Sequence, residues 1–184
     1  GLVGEDGETH HGIYDVGFLR HAPDMRILCP ASLKETEKML RWAVNDRKGP
    51  IAIRYPRGGN GAYTDSCWNG DADPVCVHRE GKDLTIVTYG TLVNNAMAAA
   101  QILSEHGIEA TVIRLMCINP LHADDIISKL PESKTVFVAE EIAGNCGIRE
   151  HISCLINSEN YGYEVFGVDL GNRYIQHGAV DKLY

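Results

Sequence analysis

The sequence lacks a long apolar run, a basic cluster and an N-terminal targeting pattern. No apolar stretch approaches the roughly 20 residues that a membrane-spanning helix needs. The formal net charge is -8 and basic residues are interspersed with acids, so no basic stripe exists to bind nucleic acid or an anionic membrane. The N-terminal sequence has no basic segment followed by an apolar one, the pattern of a secretory or transit signal. We therefore expect a cytoplasmic protein.

Cysteine pairs with metal-binding spacing are also absent. The six cysteines include no C-x-x-C pair, which argues against a structural zinc site. Cys29, Cys76, Cys117 and Cys154 stand inside apolar or helical patterns. We predict free, mostly buried thiols.

What the chain does have is enough apolar residues for a core, 44% of 184 positions. It begins at Gly1, without methionine, and enters a glycine-rich loop directly. This beginning indicates a piece of a longer polypeptide.

A capped helix is predicted in "SLKETEKMLRWAVND". Ser32 is a natural N-cap, and Glu35 stands three residues later, the spacing of a capping box. The helical period predicts an apolar stripe formed by Leu33, Thr36, Leu40 and Ala43 or Val44.

The remaining pattern predicts two α/β units with a linker between them. A strand "IAIRY" ends the first unit, 1–62, and a Gly, Asn, Asp and Pro rich linker, 63–82, contains a possible edge strand "VCVHR". In 83–184, the strands "LTIVTY", "EATVIRL", "TVFVAEE" and "EVFGVDL" alternate with helices, the last starting in "HGAVDKLY". Because these strands are apolar runs, we expect sheets with helices on both faces, a three-layer α/β fold.

The opening stretch "GEDGETHHG" is the first candidate site. It has no helical or strand periodicity and is compatible with an ordinary surface turn. Its glycines would also allow a ligand close to the backbone, where Asp6 and His10 could act as a proton-handling pair. A metal site is a third reading, although a second ligand cluster is missing.

The second candidate is "RYPRGGNG", at the carboxyl end of a predicted strand. Its arginines could simply be solvated. However, Arg57 lies between Pro56 and the pair Gly58 and Gly59, which leave room for an anion, and ligands bind at the carboxyl ends of strands in open α/β sheets. Arg57 is therefore a candidate phosphate ligand.

The third candidate is "AEEIAGNCG". Glu140 and Glu141 could form a catalytic pair, or they could cap the next helix, whose N-terminus favours negative charge. The capping or interface role is favoured.

Taken together, these stretches resemble the thiamine-diphosphate-dependent transketolase superfamily. The resemblance lies in "GLVGEDGETHHGIYDVGFLRHAPDMRILCP", "GPIAIRYPRG", "LTIVTYGTLV", "VFVAEE" and "HGAVDKLY", and covers nearly the whole chain. Thr9-His10-His11-Gly12 and Tyr55-Pro56-Arg57-Gly58 are most similar to the branch that condenses pyruvate with D-glyceraldehyde 3-phosphate.

The resemblance implies formation of 1-deoxy-D-xylulose 5-phosphate and carbon dioxide, an entry to isoprenoid, thiamine and pyridoxal precursors. It implies that Asp6 and His10 are catalytic, that Arg57 binds the substrate phosphate, and that no metal ligand lies in this chain. It also implies a homodimer that uses thiamine diphosphate and Mg²⁺, bound mainly by regions absent here.

The chain also departs from that family. The diphosphate-binding domain and the first part of the pyrimidine-binding domain are missing, and "GNCG" replaces a longer glycine run. We expect the chain alone to be inactive. Two alternatives stay open: the C-terminal subunit of a split transketolase, or a non-catalytic dimerisation module.

Overall fold

The computed structural model describes residues 1–58, 61–70, 73–158 and 160–183. Its α-helices are α1 Asp15–Leu19, α2 Leu33–Asn45, α3 Val93–Glu105, α4 Ala123–Ile127 and α5 Arg149–Ile156. Its strands are β1 Arg26–Leu28, β2 Ile51–Ile53, β3 Val75–Arg79, β4 Leu84–Tyr89, β5 Ala110–Leu115, β6 Cys117–Asn119, β7 Thr135–Ala139 and β8 Glu164–Val168. Within the described ranges, no helix has the length and apolar character needed to cross a membrane.

A five-stranded sheet organises the second half of the chain. Its order is β3-β5-β4-β7-β8, with β3 antiparallel at one edge and the other strands parallel. Ile86 and Val112 pack with α3 on one face, whereas Val87 and Ile113 belong to the core beneath α4 and α5 on the other. Adjacent strand residues thus enter different cores, which confirms the predicted three-layer α/β architecture.

A smaller sheet, ordered β2-β1-β6, organises the first half. β1 and β2 are parallel, whereas β6 comes from the second half of the chain and pairs antiparallel with β1. The sequence pattern did not predict β6. One apolar core joins the two sheets, since Ile27 and Cys29 cluster with Val87 and Ile113.

The chain's end differs from the prediction. The helix expected to start in "HGAVDKLY" is seen only as a 3-10 turn, Val180–Lys182. Tyr184 lies outside the described residues.

The predicted cap of α2 is confirmed. Ser32 Oγ accepts a hydrogen bond from the Glu35 backbone N–H at 3.1 Å. The Glu35 carboxylate does not complete the capping box at Ser32, because its Oε2 accepts instead from the backbone N–H of Ala31 at 2.8 Å.

The apolar stripe predicted on α2 is wrong. Three of the side chains that it would bury are more than half exposed, Leu33, Leu40 and Val44, whereas Thr36 and Ala43 are half-buried. The buried face instead carries Met39 and the carboxylate of Glu35. Arg114 on β5 explains this reversal, because its guanidinium forms two hydrogen bonds with Glu35, at 2.6 and 2.9 Å, and both groups are fully buried. A buried charge is tolerated when it is paired in this way.

The cysteine prediction is wrong for one pair. Cys67 and Cys76 are joined by a disulfide, with a Cα–Cα distance of 6.3 Å, so the first part of the predicted linker is tied to β3, which lies in its second part. Cys29 and Cys117 are free and buried, as expected, whereas Cys154 is free and exposed.

Candidate active site

The opening loop is closed at its neck by a backbone hydrogen bond. Gly12 N donates to Gly1 O at 2.8 Å. Gly4 and Gly7 have φ angles of 67° and 71°, the left-handed region that glycine adopts without a Cβ clash. The glycines of this segment therefore serve a defined loop geometry, with Asp6 exposed on it.

The structure brings two of the three predicted site residues into direct contact. Asp6 Oδ2 and Arg57 Nη1 form an ion pair, with side chains 39% and 54% exposed. His10 lines the same cavity as Arg57, and its Nδ1 lies 2.9 Å from Thr9 Oγ1. Among the described contacts, Thr9 is therefore the hydrogen-bond neighbour of the imidazole, while Asp6 pairs with the guanidinium.

Two adjoining cavities open at the carboxyl end of β2. Their volumes are about 540 and 470 Å³, within the size range of small-molecule sites. Arg54, Tyr55 and Arg57 line both cavities. The sequence predicts a ligand site at a strand's carboxyl end, and these cavities lie at such an end.

The turn around Arg57 has room for a ligand. Gly58 has a φ of 120°, and no described atom comes within 4 Å of where a Cβ at this position would stand. Gly59, the second glycine of the predicted anion-binding turn, lies outside the described residues.

Arg54 has a structural role that the sequence analysis missed. Its side chain is only 10% exposed, and it binds the Asp15 carboxylate at 2.5 Å through Nε and 3.2 Å through Nη2. Nη2 also donates to Gly12 O at 3.0 Å, at the neck of the opening loop. The guanidinium lies 5.6 Å from the ring centroid of Tyr89. Arg54 and Asp15 are 39 residues apart, so no local spacing could have revealed their pairing.

Glu140 confirms the capping prediction for the paired glutamates. Its carboxylate accepts from the backbone N–H groups of Ile148 at 2.8 Å and Arg149 at 3.1 Å, at the start of α5. It also accepts from the Tyr89 hydroxyl at 2.9 Å. Burial raises the pKa of Glu140, and these three hydrogen bonds to its oxygens oppose the rise.

Glu141 faces the opening loop instead. Its Oε1 accepts from the backbone N–H of Leu2 at 2.5 Å, and its side chain lines the larger cavity. The two adjacent glutamates therefore act on different elements, one on α5 and the other on the loop that carries Asp6 and His10.

One group of side chains among the described residues has the composition of a metal site. This group is Cys67, Cys76 and His78, whose ligand atoms lie within 4.8 Å of one another. The two sulfurs are bonded to each other, and His78 Nε2 accepts from Arg114 Nε at 2.9 Å. Burial, together with the Arg114 charge, lowers the pKa of His78 to about 4.

Two domain models match the chain. Residues 1–61 match the pyrimidine binding domain of transketolase, and residues 74–184 match the transketolase C-terminal domain. The chain belongs to the transketolase family. Its curated relatives include the 1-deoxy-D-xylulose-5-phosphate synthases of Halothermothrix orenii, 39% identical, and Gloeothece citriformis, 43% identical. Each match covers 100% of this chain and 29% of the relative.

A solved transketolase also resembles this member of the family over both sheets. The structure is a split-gene transketolase, an inactive beta4 tetramer, with a TM-score of 0.83 and 26% identity. The match covers 96% of this chain and 58% of the solved one. The likeness therefore extends to the arrangement of the two halves.

Proposed function

We propose that this chain is the C-terminal part of a 1-deoxy-D-xylulose-5-phosphate synthase. The complete enzyme would condense pyruvate with D-glyceraldehyde 3-phosphate, giving 1-deoxy-D-xylulose 5-phosphate and carbon dioxide. The observation that carries this proposal is the cavity that Arg57 and His10 share, beside an Asp6 in contact with Arg57. Relatives with the synthase name match over the full length of the chain.

Arg57 is the proposed ligand of the acceptor's phosphate. Its guanidinium is half exposed, and its described ionic partner is the single carboxylate of Asp6. A phosphate dianion carries more charge and more acceptor oxygens than a carboxylate, so it competes well for a planar guanidinium fork. Arg54 is unsuited to this task, because it is buried and already holds Asp15.

His10 is the proposed proton-handling group, with Asp6 beside the substrate. An imidazole titrates near neutral pH and is suited to proton transfer at a substrate hydroxyl or carbonyl oxygen. His10 is exposed on the cavity wall, where a substrate can reach it. The Asp6–Arg57 ion pair connects the opening loop, which carries His10, to the turn that carries Arg57.

Thiamine diphosphate, when bound, would supply the carbanion chemistry. We propose that it and Mg²⁺ are held mainly outside this chain. We also propose that the complete enzyme is a cytoplasmic homodimer. Within this chain, the proposed domains are 1–62 and 83–184, joined by a linker at 63–82.

An isolated chain should neither bind thiamine diphosphate measurably nor turn over pyruvate. Calorimetric titration with cofactor and Mg²⁺ tests the first point, and micromolar binding would contradict it. The complete enzyme should form product from pyruvate and D-glyceraldehyde 3-phosphate. Its failure to do so would remove the synthase assignment.

The likeness to a split-gene transketolase supports a second candidate, a C-terminal subunit that works with a separate N-terminal chain. Mixing this chain with the missing N-terminal portion and assaying product tests it. Restored turnover favours the subunit, whereas no association favours a dimerisation module.

A further inference from the structure

We infer that Glu141 is a positioning residue that anchors the loop bearing Asp6 and His10. The inference rests on the proposed function of that loop. Glu141 follows β7 in the five-stranded sheet, and its Oε1 accepts the backbone N–H of Leu2 at 2.5 Å across 139 residues. A carboxylate of the C-terminal domain thus contacts the loop next to its neck.

The position of this contact gives it influence over the whole loop. The hydrogen bond from Gly12 N to Gly1 O closes the neck, and Val3 N donates to His11 Nδ1 at 3.2 Å inside it. These bonds tie both ends of the loop together. An anchor on Leu2 therefore fixes the closed loop relative to the five-stranded sheet.

Glu141 is itself held on both sides. The preceding residue, Glu140, is fixed through its carboxylate by the N-terminus of α5. The backbone N–H of Glu140 also donates to Val168 O at 3.0 Å. Two residues after Glu141, Ala143 N donates to Ile13 O at 2.8 Å, just beyond the loop. The anchoring carboxylate therefore projects from a backbone with little freedom to move.

A carboxylate is the appropriate acceptor for this anchor. Hydrogen bonds to an ionised acceptor are shorter and roughly twice as strong as those between neutral groups. A second contact, from Gly178 N to Gly4 O at 3.2 Å, joins neutral backbone groups. Arg54 and Arg57 also hold the loop, through Gly12 O and Asp6, but from the end of β2. Of the contacts made by the C-terminal half, Glu141 is therefore expected to carry the larger share.

Two variants separate positioning from a direct effect of charge on the cavity, since Glu141 also lines it. Glu141→Ala removes the acceptor and the charge, whereas Glu141→Gln removes the charge and keeps an acceptor oxygen. Glu132→Ala, at an exposed site before β7, is the control. The experiment uses the complete enzyme and follows hydrogen exchange of the peptide covering residues 2–14.

Glu141→Ala should accelerate exchange in that peptide by about 10-fold or more, the effect of losing one hydrogen bond to a charged group. Glu141→Gln should give a smaller rise than Glu141→Ala, because its amide oxygen still accepts the hydrogen bond but as a weaker, neutral acceptor. Glu132→Ala should stay near wild type. In steady-state assays, Glu141→Ala should lower kcat equally with phosphorylated and unphosphorylated acceptors and leave the KM of the phosphorylated one unchanged. Glu141→Gln should restore part of the lost kcat, because a neutral acceptor oxygen keeps part of the hydrogen bond.

Three results would overturn the inference: unchanged exchange in Glu141→Ala, a Gln variant as impaired as the Ala variant, or exchange that rises equally in β7 and α5. The second would assign the effect to charge, and the third to general destabilisation. If the wild-type enzyme makes no product but Glu141→Ala still accelerates exchange in residues 2–14, the proposed function is wrong and the anchoring role of Glu141 is retained.

Discussion

Two arginines at the end of β2 make the same kind of ion pair in opposite surroundings. Arg54 is 10% exposed and grips Asp15 through two nitrogens. Arg57 lies three residues later, is 54% exposed and pairs with Asp6 on the opening loop. A buried pair cannot change partners without leaving a charge uncompensated, whereas an exposed one exchanges at little cost. The contrast separates a structural arginine from one that is available to a ligand.

Among the arginine variants, the largest expected effect is at the structural arginine. Arg54→Ala should lower the free energy of unfolding by about 3 kcal/mol, the low end for breaking a buried pair, because Asp15 keeps some access to water. Urea denaturation measures this change. Arg57→Ala is the matched control and should change stability by less than about 0.5 kcal/mol. If both variants lose the same free energy of unfolding, Arg54 is no more structural than Arg57.

The next effect concerns the ligand-binding arginine. In the complete enzyme, Arg57→Ala should reduce kcat/KM for D-glyceraldehyde 3-phosphate by about 30-fold relative to an unphosphorylated aldehyde. This factor corresponds to about 2 kcal/mol, within the range for hydrogen bonds to charged groups. The measurement is the ratio of kcat/KM values for the two aldehydes.

His10→Ala should affect the ratio of kcat/KM values for the two aldehydes differently from Arg57→Ala. It should slow turnover with both aldehydes by about 10²-fold to 10⁴-fold, as expected for a general acid-base group, and leave the ratio unchanged. If Arg57→Ala also leaves the ratio unchanged, Arg57 is not the phosphate ligand.

Local signals in the sequence were sufficient for most of the fold. The Ser32 cap and the apolar strands of the five-stranded sheet depend on residues that are near in sequence, and both are confirmed. The stripe on α2 failed because the partner of Glu35 is Arg114, 79 residues away. Periodicity alone cannot reveal that a charge on a helix face has a buried partner.

The candidate site shows the same limit. The loop, the Arg57 turn and the capping role of Glu140 have local signatures of glycine, proline and paired acids. The contacts made by Arg54 and Glu141 depend on how the two halves pack, and the pairing of β6 with β1 does as well. The Cys67–Cys76 bond lies in the predicted linker, whose sequence has weak periodicity and no cysteine spacing that indicates a pair. Each of these contacts depends on tertiary packing, which local sequence patterns do not contain.

The smallest expected effect is the coupling between Asp6 and Arg57 themselves. A double-mutant cycle with Asp6→Asn and Arg57→Gln should give a coupling free energy of about 0 to 1 kcal/mol, the range for exposed ion pairs. The same cycle with Asp15→Asn and Arg54→Gln should give a larger value, because that pair is largely shielded from water. Salt sharpens the comparison, since the Debye length falls from about 10 Å at 0.1 M to about 3 Å at 1 M. The Asp6–Arg57 coupling should therefore vanish at high salt while the Asp15–Arg54 coupling persists. An Asp6–Arg57 coupling above about 2 kcal/mol that resists 1 M salt would mean that a phosphate cannot readily displace Asp6, and Arg57 would then belong with Arg54 among the structural arginines.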